Sequence, residues 1–446
     1  MNIIIAGDGE VGFHLAKLLS NEYHNTTIVD PHQELLKLLE SHSDLMTIAG
    51  DSTSISVLER ANVKNADLFI SVLHDERTNI VTSILAKKLG AKRTIARVNN
   101  SEYLNKENKK IFKDLGIDAI VNPEGIASNE ITKLLNQTAA TEIFDFSKGK
   151  LSLFLIKLDE KAQVINKSLK EIASEHSHLD FRAVAIHRKG KTIIPKGDNK
   201  FLTNDLAYVI TKPHGIDTLM KLGGKTKIEI NDVMIIGGGR IGRMTALNLE
   251  KELNIKLIER DKERCYLLND QLQKTLIING DARDVELLED EGIHGVDAFI
   301  AVTNDSETNI FTCLLAQKYG VKRTIALVEN IDYIDIAQNM GIDTIINKKL
   351  ITASYIVRFT MGAEVTSIKC LNGVEAEVLE FVVKPKSKIT KHPISKLRFP
   401  EDAIIGGIVR NEESHIAIGD FQIQANDKVV VFSLPSAIHK VDKLFN

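Results

Sequence analysis

Short continuous apolar runs alternate with longer stretches of helical periodicity through the first third of the chain. The apolar runs fall at about residues 2–6, 26–30, 46–49, 67–72, 94–98 and 119–121. Runs that are apolar throughout, without alternation, mark strands covered on both faces. Between them lie amphipathic stretches such as ERTNIVTSILAKKL at 76–89, where Ile80, Val81, Ile84 and Leu85 form a stripe. This alternation predicts a doubly wound parallel sheet with helices on both faces. From about residue 141 the texture changes. LSLFLIKL, FRAVAIHRKG, KTIIPKG and LAYVITK are short runs punctuated by Lys-Gly and Pro, which predicts a small β-rich domain. Residues 215–230 read as a short helix and a linker.

The whole pattern then recurs. Gly7, Gly9 and Gly12 in NIIIAGDGEVG return 230 residues later as Gly237, Gly239 and Gly242 in DVMIIGGGRIG. Gly50-Asp51 returns as Gly280-Asp281, Thr78-Asn79 as Thr308-Asn309, and the run Lys92–Ala96 as Lys322–Ala326. Gly116 returns as Gly341, 225 residues on, so a loop differs in length. The stripe returns at Ile310, Leu314 and Leu315. A second β-rich tail follows, with EVLEFVV, AIIGGIVRN, HIAIGD and KVVVFSL. A period this long is too great for a solenoid and means tandem duplication of a whole module.

Each glycine motif follows an apolar strand and opens a helix. Each also has an acid roughly 20 residues on, Asp30 after TTIV and Glu259 after IKLI. The first glycine makes a tight turn, the second lets the main chain approach a pyrophosphate, and the third lets helix and strand pack closely. Free N–H groups at the helix start then face phosphates. Asp30 and Glu259 would accept hydrogen bonds from ribose hydroxyls. Their charge would repel a 2′-phosphate, which favours NAD or an adenine nucleotide over NADP.

Composition narrows the class. The formal net charge of −3 over 446 residues gives no electrostatic case for nucleic acid. No apolar run approaches the ~20 residues of a membrane span. The first strand begins at about Asn2, which leaves no room for a leader. Cys265, Cys313 and Cys370 are far apart and form no C-x-x-C, as expected of a reduced cytoplasmic compartment with no metal site. His176 and His178 form a close pair without a third spaced ligand. His32, His42 and His74 are expected at the surface.

The paired glycine motifs, the IAGDST and INGDAR segments, the VTNDSETN turn and the GGIVRN…IAIGD…VVVF tail resemble the TrkA family of Trk potassium-uptake regulatory proteins. The resemblance covers the whole chain. It implies two tandem Rossmann-like doubly wound parallel-sheet lobes, each followed by a small α+β lobe, together two RCK (regulator of K⁺ conductance) modules. The implied divisions are N-lobe 1 at 1–137, C-lobe 1 at 138–221, N-lobe 2 at 231–361 and C-lobe 2 at 362–446. It further implies that each N-lobe binds NAD(H) or an adenine nucleotide such as ATP or ADP.

Carried over by position, the first phosphate loop is Gly7, Asp8, Gly9, Glu10 and Val11, closed by Gly12, with Asp30 as ribose acid. Asp51, Ser52, Leu73 and His74 follow strands three and four, and Arg97 ends strand five, reaching toward phosphates. The second loop is Gly237, Gly238, Gly239, Arg240 and Ile241, closed by Gly242, with Glu259 as ribose acid. Asp281, Thr303 and Asn304 line that pocket, and Leu327 stands where Arg97 stands in the first. Two acids in the first loop oppose phosphate charge, and Arg97 offsets them. Arg240 in the second is a natural phosphate partner, and in related single-module proteins an arginine there contacts the outer phosphate of ATP. The first lobe is therefore expected to prefer NAD(H), and the second to accept ADP, ATP or NAD.

The resemblance also implies a homotetrameric ring on the cytosolic face of a membrane channel subunit, TrkH or TrkG, with no nucleic acid partner. The protein would be cytoplasmic and peripheral to the membrane. The rival class is an NAD-dependent oxidoreductase. It would need a general acid or base near the nicotinamide. No Tyr-x-x-x-Lys motif is present, and His187 and His214 have no acid partner in sequence reach. A scaffold with dead pockets would have lost its ribose acids, and both are present.

Overall fold

The computed structural model describes residues 1–7, 9–21, 24–34, 36–37, 45–136, 142–175, 180–224, 229–357, 359–360, 364–371 and 376–446. Six strands of the first lobe, β1 (Asn2–Ala6), β2 (Asn25–Asp30), β3 (Met46–Ala49), β4 (Leu68–Ser71), β5 (Thr94–Arg97) and β6 (Ala119–Val121), form a parallel sheet ordered β3-β2-β1-β4-β5-β6. Ile3, Ile4, Ile5 and Ala6 are all buried, as are Leu68 to Ser71, as a strand covered on both faces requires. The strand order reverses direction between β1 and β4. In doubly wound sheets the ligand crevice opens at that switch point, beyond the carboxyl ends of the strands.

The first antiparallel sheet contains β7 (Glu142–Phe146), β8 (Leu151–Lys157), β9 (Phe181–Arg188), β10 (Lys191–Ile193) and β11 (Leu206–Thr211), ordered β10-β9-β11-β8-β7. The second parallel sheet contains β12 (Asp232–Ile236), β13 (Asn254–Glu259), β14 (Leu276–Asn279), β15 (Ala298–Ala301), β16 (Arg323–Leu327) and β17 (Thr344–Ile346), ordered β14-β13-β12-β15-β16-β17. The second antiparallel sheet contains β18 (Glu364–Cys370), β19 (Glu377–Val382), β20 (Ala403–Arg410), β21 (Glu413–Ile416) and β22 (Lys428–Ser433), ordered β18-β19-β22-β20-β21. Both orders repeat the first copy, so the duplication holds at the level of topology. The strands β7 and β18 and the helices Leu169–Glu175 and Pro435–Phe445 add to the runs read from sequence. The two antiparallel sheets share one core, in which Phe146, Leu153, Tyr208 and Ile210 meet Val378, Val430 and Phe432.

The chain forms two compact units. One comprises Met1–Ile126 with Lys348–Met361, and the other comprises Ala127–Asn347 with Gly362–Asn446. The closing helices of the two Rossmann sequences are therefore exchanged. Helix Lys348–Val357, at the end of the second copy, packs along helix Glu10–Asn21 of the first. Helix Pro123–Asn136 begins in the first unit and continues in the second. There the Ser128 hydroxyl oxygen accepts from Thr245 Oγ1 at 3.2 Å and Asn248 Nδ2 at 3.3 Å.

The stripe on helix Glu76–Leu89 behaves differently from a simple core stripe. Its fully buried face is Asn79, Thr82, Ser83 and Ala86, which are small or polar. Ile80, Ile84 and Leu85 are half-buried at the flanks of the sheet core, and Val81 is exposed. Helix Ser306–Lys318 repeats this with Asn309, Thr312, Cys313 and Ala316 buried and Phe311 exposed. Small side chains let the helix lie close to the strands, and the buried amide has work at the strand ends.

Candidate functional site

The glycine loops take three different roles from their three glycines. Gly7 has φ +117° and Gly237 φ +96°, a region that side chains rarely enter. A Cβ on Gly237 would also lie 2.9 Å from Thr303 N. A Cβ on Gly12 would lie 1.8 Å from Gly7 O, and one on Gly242 2.0 Å from Gly237 O. These contacts lock the loop against the first turn of the helix. The middle glycine is not needed for packing. A Cβ on Gly9 would meet only His74 Nε2 at 3.7 Å, and one on Gly239 would meet nothing within 4 Å. Gly239 has φ −65°, which any residue adopts, and it caps helix Arg240–Leu249. The side of Gly239 on which a Cβ would stand is open space.

The acids lie where the sequence placed them, at the ends of β2 and β13. Asp30 is buried, and its Oδ1 accepts from His32 N–H at 3.0 Å and lies 2.7 Å from His32 Nδ1. Glu259 is buried as well. Its Oε2 accepts from Gly238 N–H at 2.8 Å and lies 3.4 Å from Arg264 Nη1, while Oε1 accepts from Asp261 N–H at 2.8 Å. Glu259 thereby ties the glycine loop to the end of the neighbouring strand. Gly238 is tightly enclosed, since a Cβ there would lie 2.4 Å from Leu268 Cδ1.

Around the rim, Asp51 accepts from Thr53 N–H and Thr53 Oγ1, both at 2.8 Å, which hold its carboxyl below the ordinary range. Asp281 is gripped by the Arg283 guanidinium and backbone N–H, which bring it down to about 2. Ser52 is buried, with Oγ 3.5 Å from Thr82 Oγ1. Leu73 and Thr303 are half-buried, and His74 and Asn304 are exposed. Val11 is half-buried and Ile241 buried in the helices that follow the loops, whereas Arg240 is exposed at the first helical residue. Asp8 lies outside the described residues, and Glu10 opens helix Glu10–Asn21.

Arg97 ends β5, but its guanidinium is engaged. Nη2 donates to Glu124 Oε1 at 2.9 Å, in the first turn of helix Pro123–Asn136. Leu327, at the matching position, is buried.

Two site residues have no role in the sequence reading. The buried Asn79 amide accepts from Leu73 N–H at 2.8 Å and donates to Leu73 O at 2.9 Å and Arg97 O at 3.0 Å. Asn309 does the same in the second lobe, with Thr303 N–H at 3.0 Å, Thr303 O at 3.0 Å and Leu327 O at 2.8 Å. Each amide pins the loop after the fourth strand to the end of the fifth. The signal was the repeated Thr-Asn pair.

His187 is half-buried, its Nδ1 lies 3.2 Å from Thr192 Oγ1, and burial pushes it below the ordinary histidine range, against the pull of Asp335. Among the described residues no group of three or more His, Cys, Asp or Glu could hold a metal. His42, His176 and His178 lie outside the described residues. No helix among the described residues is long and apolar enough to cross a membrane.

The chain is similar to known proteins over its whole length. The family model for the TrkA-N domain matches residues 3–123 and 233–348, and that for the TrkA-C domain matches 153–223 and 378–446. The Trk system potassium uptake protein TrkA homolog 1 of Methanosarcina mazei is 31% identical over 454 residues, covering all of both chains. Trk system potassium uptake protein TrkA of Vibrio alginolyticus is 32% identical over 438 residues, with 97% of this chain and 95% of that one covered. Among solved structures, the GsuK channel bound to NAD aligns with a TM-score of 0.62 at 18% identity, over 100% of this chain and 78% of that one, a likeness of fold.

Proposed function

The chain belongs to the TrkA family of Trk potassium-uptake proteins, and on that premise we propose that it is the nucleotide-sensing regulatory subunit of a Trk-type potassium uptake system. NAD(H) or an adenine nucleotide binds across the strand ends of the Rossmann lobes. Binding changes the conformation of a ring of RCK modules, and the ring gates a membrane channel subunit of the TrkH or TrkG type. The protein reads nucleotides and does not turn them over. A ligand shifts the ring only by as much as its affinity differs between the ring's states.

The observation that carries this reading is the open side of Gly239 beside the buried acid Glu259. Neither packing nor backbone conformation demands glycine there, whereas a pyrophosphate approaching the main chain does. The first loop has the same frame in Gly7, Gly12 and Asp30. Exposed Arg240, at the start of its helix, supports ADP or ATP in the second lobe, and the first lobe is the NAD(H) site.

Assembly into a tetrameric ring is supported by exposed apolar residues at matched positions of both copies. These pairs are Val81 and Phe311, Ile111 and Ile336, and Leu115 and Met340. The channel partner places the protein on the cytoplasmic side of the membrane, peripheral to it.

Calorimetric titration with NADH, NAD, ATP and ADP, with NADP as control, tests the reading. Wild type should bind saturably. Asp30→Ala should weaken NADH and Glu259→Ala should weaken ADP, each by roughly 10- to 100-fold, the loss of hydrogen bonds to a charged acceptor. Arg240→Ala should weaken ATP and ADP about tenfold and leave NADH unchanged. If no nucleotide binds, the sensor reading is wrong. Hydride transfer to an added substrate would restore the oxidoreductase.

A further inference from the structure

The ion pair between Arg97 and Glu124 is buried but poorly satisfied. The side chains are 13% and 7% exposed, and a single contact of 2.9 Å joins them. Among the described residues, Arg97 Nε and Glu124 Oε2 are buried with no hydrogen-bond partner. An arginine and a carboxylate pair best as a two-pronged fork, and this protein makes such forks elsewhere. Arg188 grips both oxygens of Asp205, and Arg410 both oxygens of Asp427, at 2.7–2.9 Å. A buried pair that leaves a donor and an acceptor idle is open to exchange of partners.

Its position gives the exchange a meaning. Arg97 ends β5, two strands from the glycine loop on β1. The Asn79 amide joins the Arg97 carbonyl to Leu73, whose N–H lies 3.2 Å from the place of a Gly7 Cβ. The guanidinium thus stands at the carboxyl edge of the sheet, where such folds bind ligands. Glu124 sits in the first turn of its helix, where the helix dipole favours a carboxylate even without a cation. Glu124 can therefore part from Arg97 more easily than Arg97 can remain alone.

We propose that Glu124 competes with the nucleotide's phosphates for Arg97, so that binding in the first lobe is transmitted as release of Glu124. The proposal rests on the nucleotide reading above. A phosphate group offers several oxygens and would satisfy the idle Nε as well as the fork. The freed carboxylate rides on helix Pro123–Asn136, which begins in one unit and continues in the other. Occupancy is thereby written onto an element that both units contain. The second copy has Leu327 and Lys349 at the matching positions, so the device belongs to the first lobe.

The test is calorimetry with NADH on the full chain, as wild type, Glu124→Gln, Arg97→Met and the double variant. Glu124→Gln should tighten NADH binding about 3- to 10-fold, and Arg97→Met should weaken it about tenfold. In the Arg97→Met background, Glu124→Gln should change affinity less than about twofold, because the competitor has lost what it competes for. Equal tightening in both backgrounds would mean plain charge repulsion and would overturn the proposal. So would unchanged affinity in Glu124→Gln. Thermal melts keep the test readable if the variant is less stable. Glu124→Gln should melt lower without ligand and show a larger rise with NADH, and an unchanged rise counts against the proposal. Absence of NADH binding in wild type and all variants would instead sink the nucleotide reading, and the proposal with it.

Discussion

Gly12→Ala should abolish nucleotide binding in the first lobe and lower the melting temperature of the protein. The new methyl carbon would lie 1.8 Å from Gly7 O and 2.8 Å from Gly7 C, both main-chain atoms that no rotamer change can move aside. Either the helix or the loop must shift, and a shift of the loop misplaces every N–H that faces the ligand. Overpacking against side chains costs about 1–3 kcal/mol, and a clash with backbone lies at or beyond the upper end of that range. Gly242→Ala should do the same to the second lobe, where the methyl would lie 2.0 Å from Gly237 O. Gly239→Ala is the contrast. Its methyl meets no protein atom within 4 Å, so stability should fall by no more than about 1 kcal/mol, the effect of a poorer helix cap. Binding in the second lobe should nevertheless drop at least tenfold, because the methyl occupies the ligand's approach. Differential scanning calorimetry and nucleotide titration on the same three proteins separate the two effects. If Gly12→Ala melts and binds like wild type, the loop–helix contact does not hold the site together.

Asn79→Ala should be nearly as damaging, through hydrogen bonds and not through packing. The amide is buried and satisfies Leu73 N–H, Leu73 O and Arg97 O while accepting from Ser71 Oγ at 2.9 Å. Truncation leaves a main-chain donor and two carbonyls without their partner. Each buried group left unsatisfied costs about 1–3 kcal/mol, so the first lobe should lose roughly 3 kcal/mol or more. The loop carrying Leu73 and His74 would also come free of β5, and NADH affinity should fall with stability. Asn79→Asp keeps the shape and the acceptor but loses both donors, so it should lie between wild type and Asn79→Ala. Urea unfolding followed by circular dichroism checks this as a lowered midpoint. An unfolding free energy within about 0.5 kcal/mol of wild type for Asn79→Ala would show that the amide is not what fixes the rim.

What could be read from sequence was what the backbone itself imposes. Glycine spacing, the run of Ile3–Ile5 and the acids at the ends of β2 and β13 each follow from local chemistry, and the structure has Ile3–Ile5 inside β1 and the acids at the ends of the strands beside β1 and β12. The limits of helix Glu76–Leu89 were legible because Asp75 caps one end, by accepting from Thr78 N–H, and Gly90 in the left-handed region closes the other. Three things were hidden for one reason: they depend on which strands become neighbours. The role of Asn79 needs β4 and β5 side by side. The pairing of Arg97 with Glu124 spans 27 residues and needs β6 to deliver its helix beside β5. The burial of Thr82 and Ser83 in place of the apolar stripe needs a sheet that accepts a closely seated helix. Periodicity reports how apolar a face is, and not what that face touches.

The exchanged closing helices bear on how the duplicated modules can change over time. Each Rossmann lobe is completed by a helix encoded in the opposite half of the chain. Within one chain, neither half can be dropped without leaving the other short of a structural part, which only a second copy of that half could then supply. The proposed ligand-facing residues are under no such constraint, because Arg97 and Leu327, or Asp30 and Glu259, lie one in each copy. Such a chain holds its two halves together as scaffold while leaving the two pockets separate to diverge, and unequal specificities can arise within one subunit without any loss of assembly.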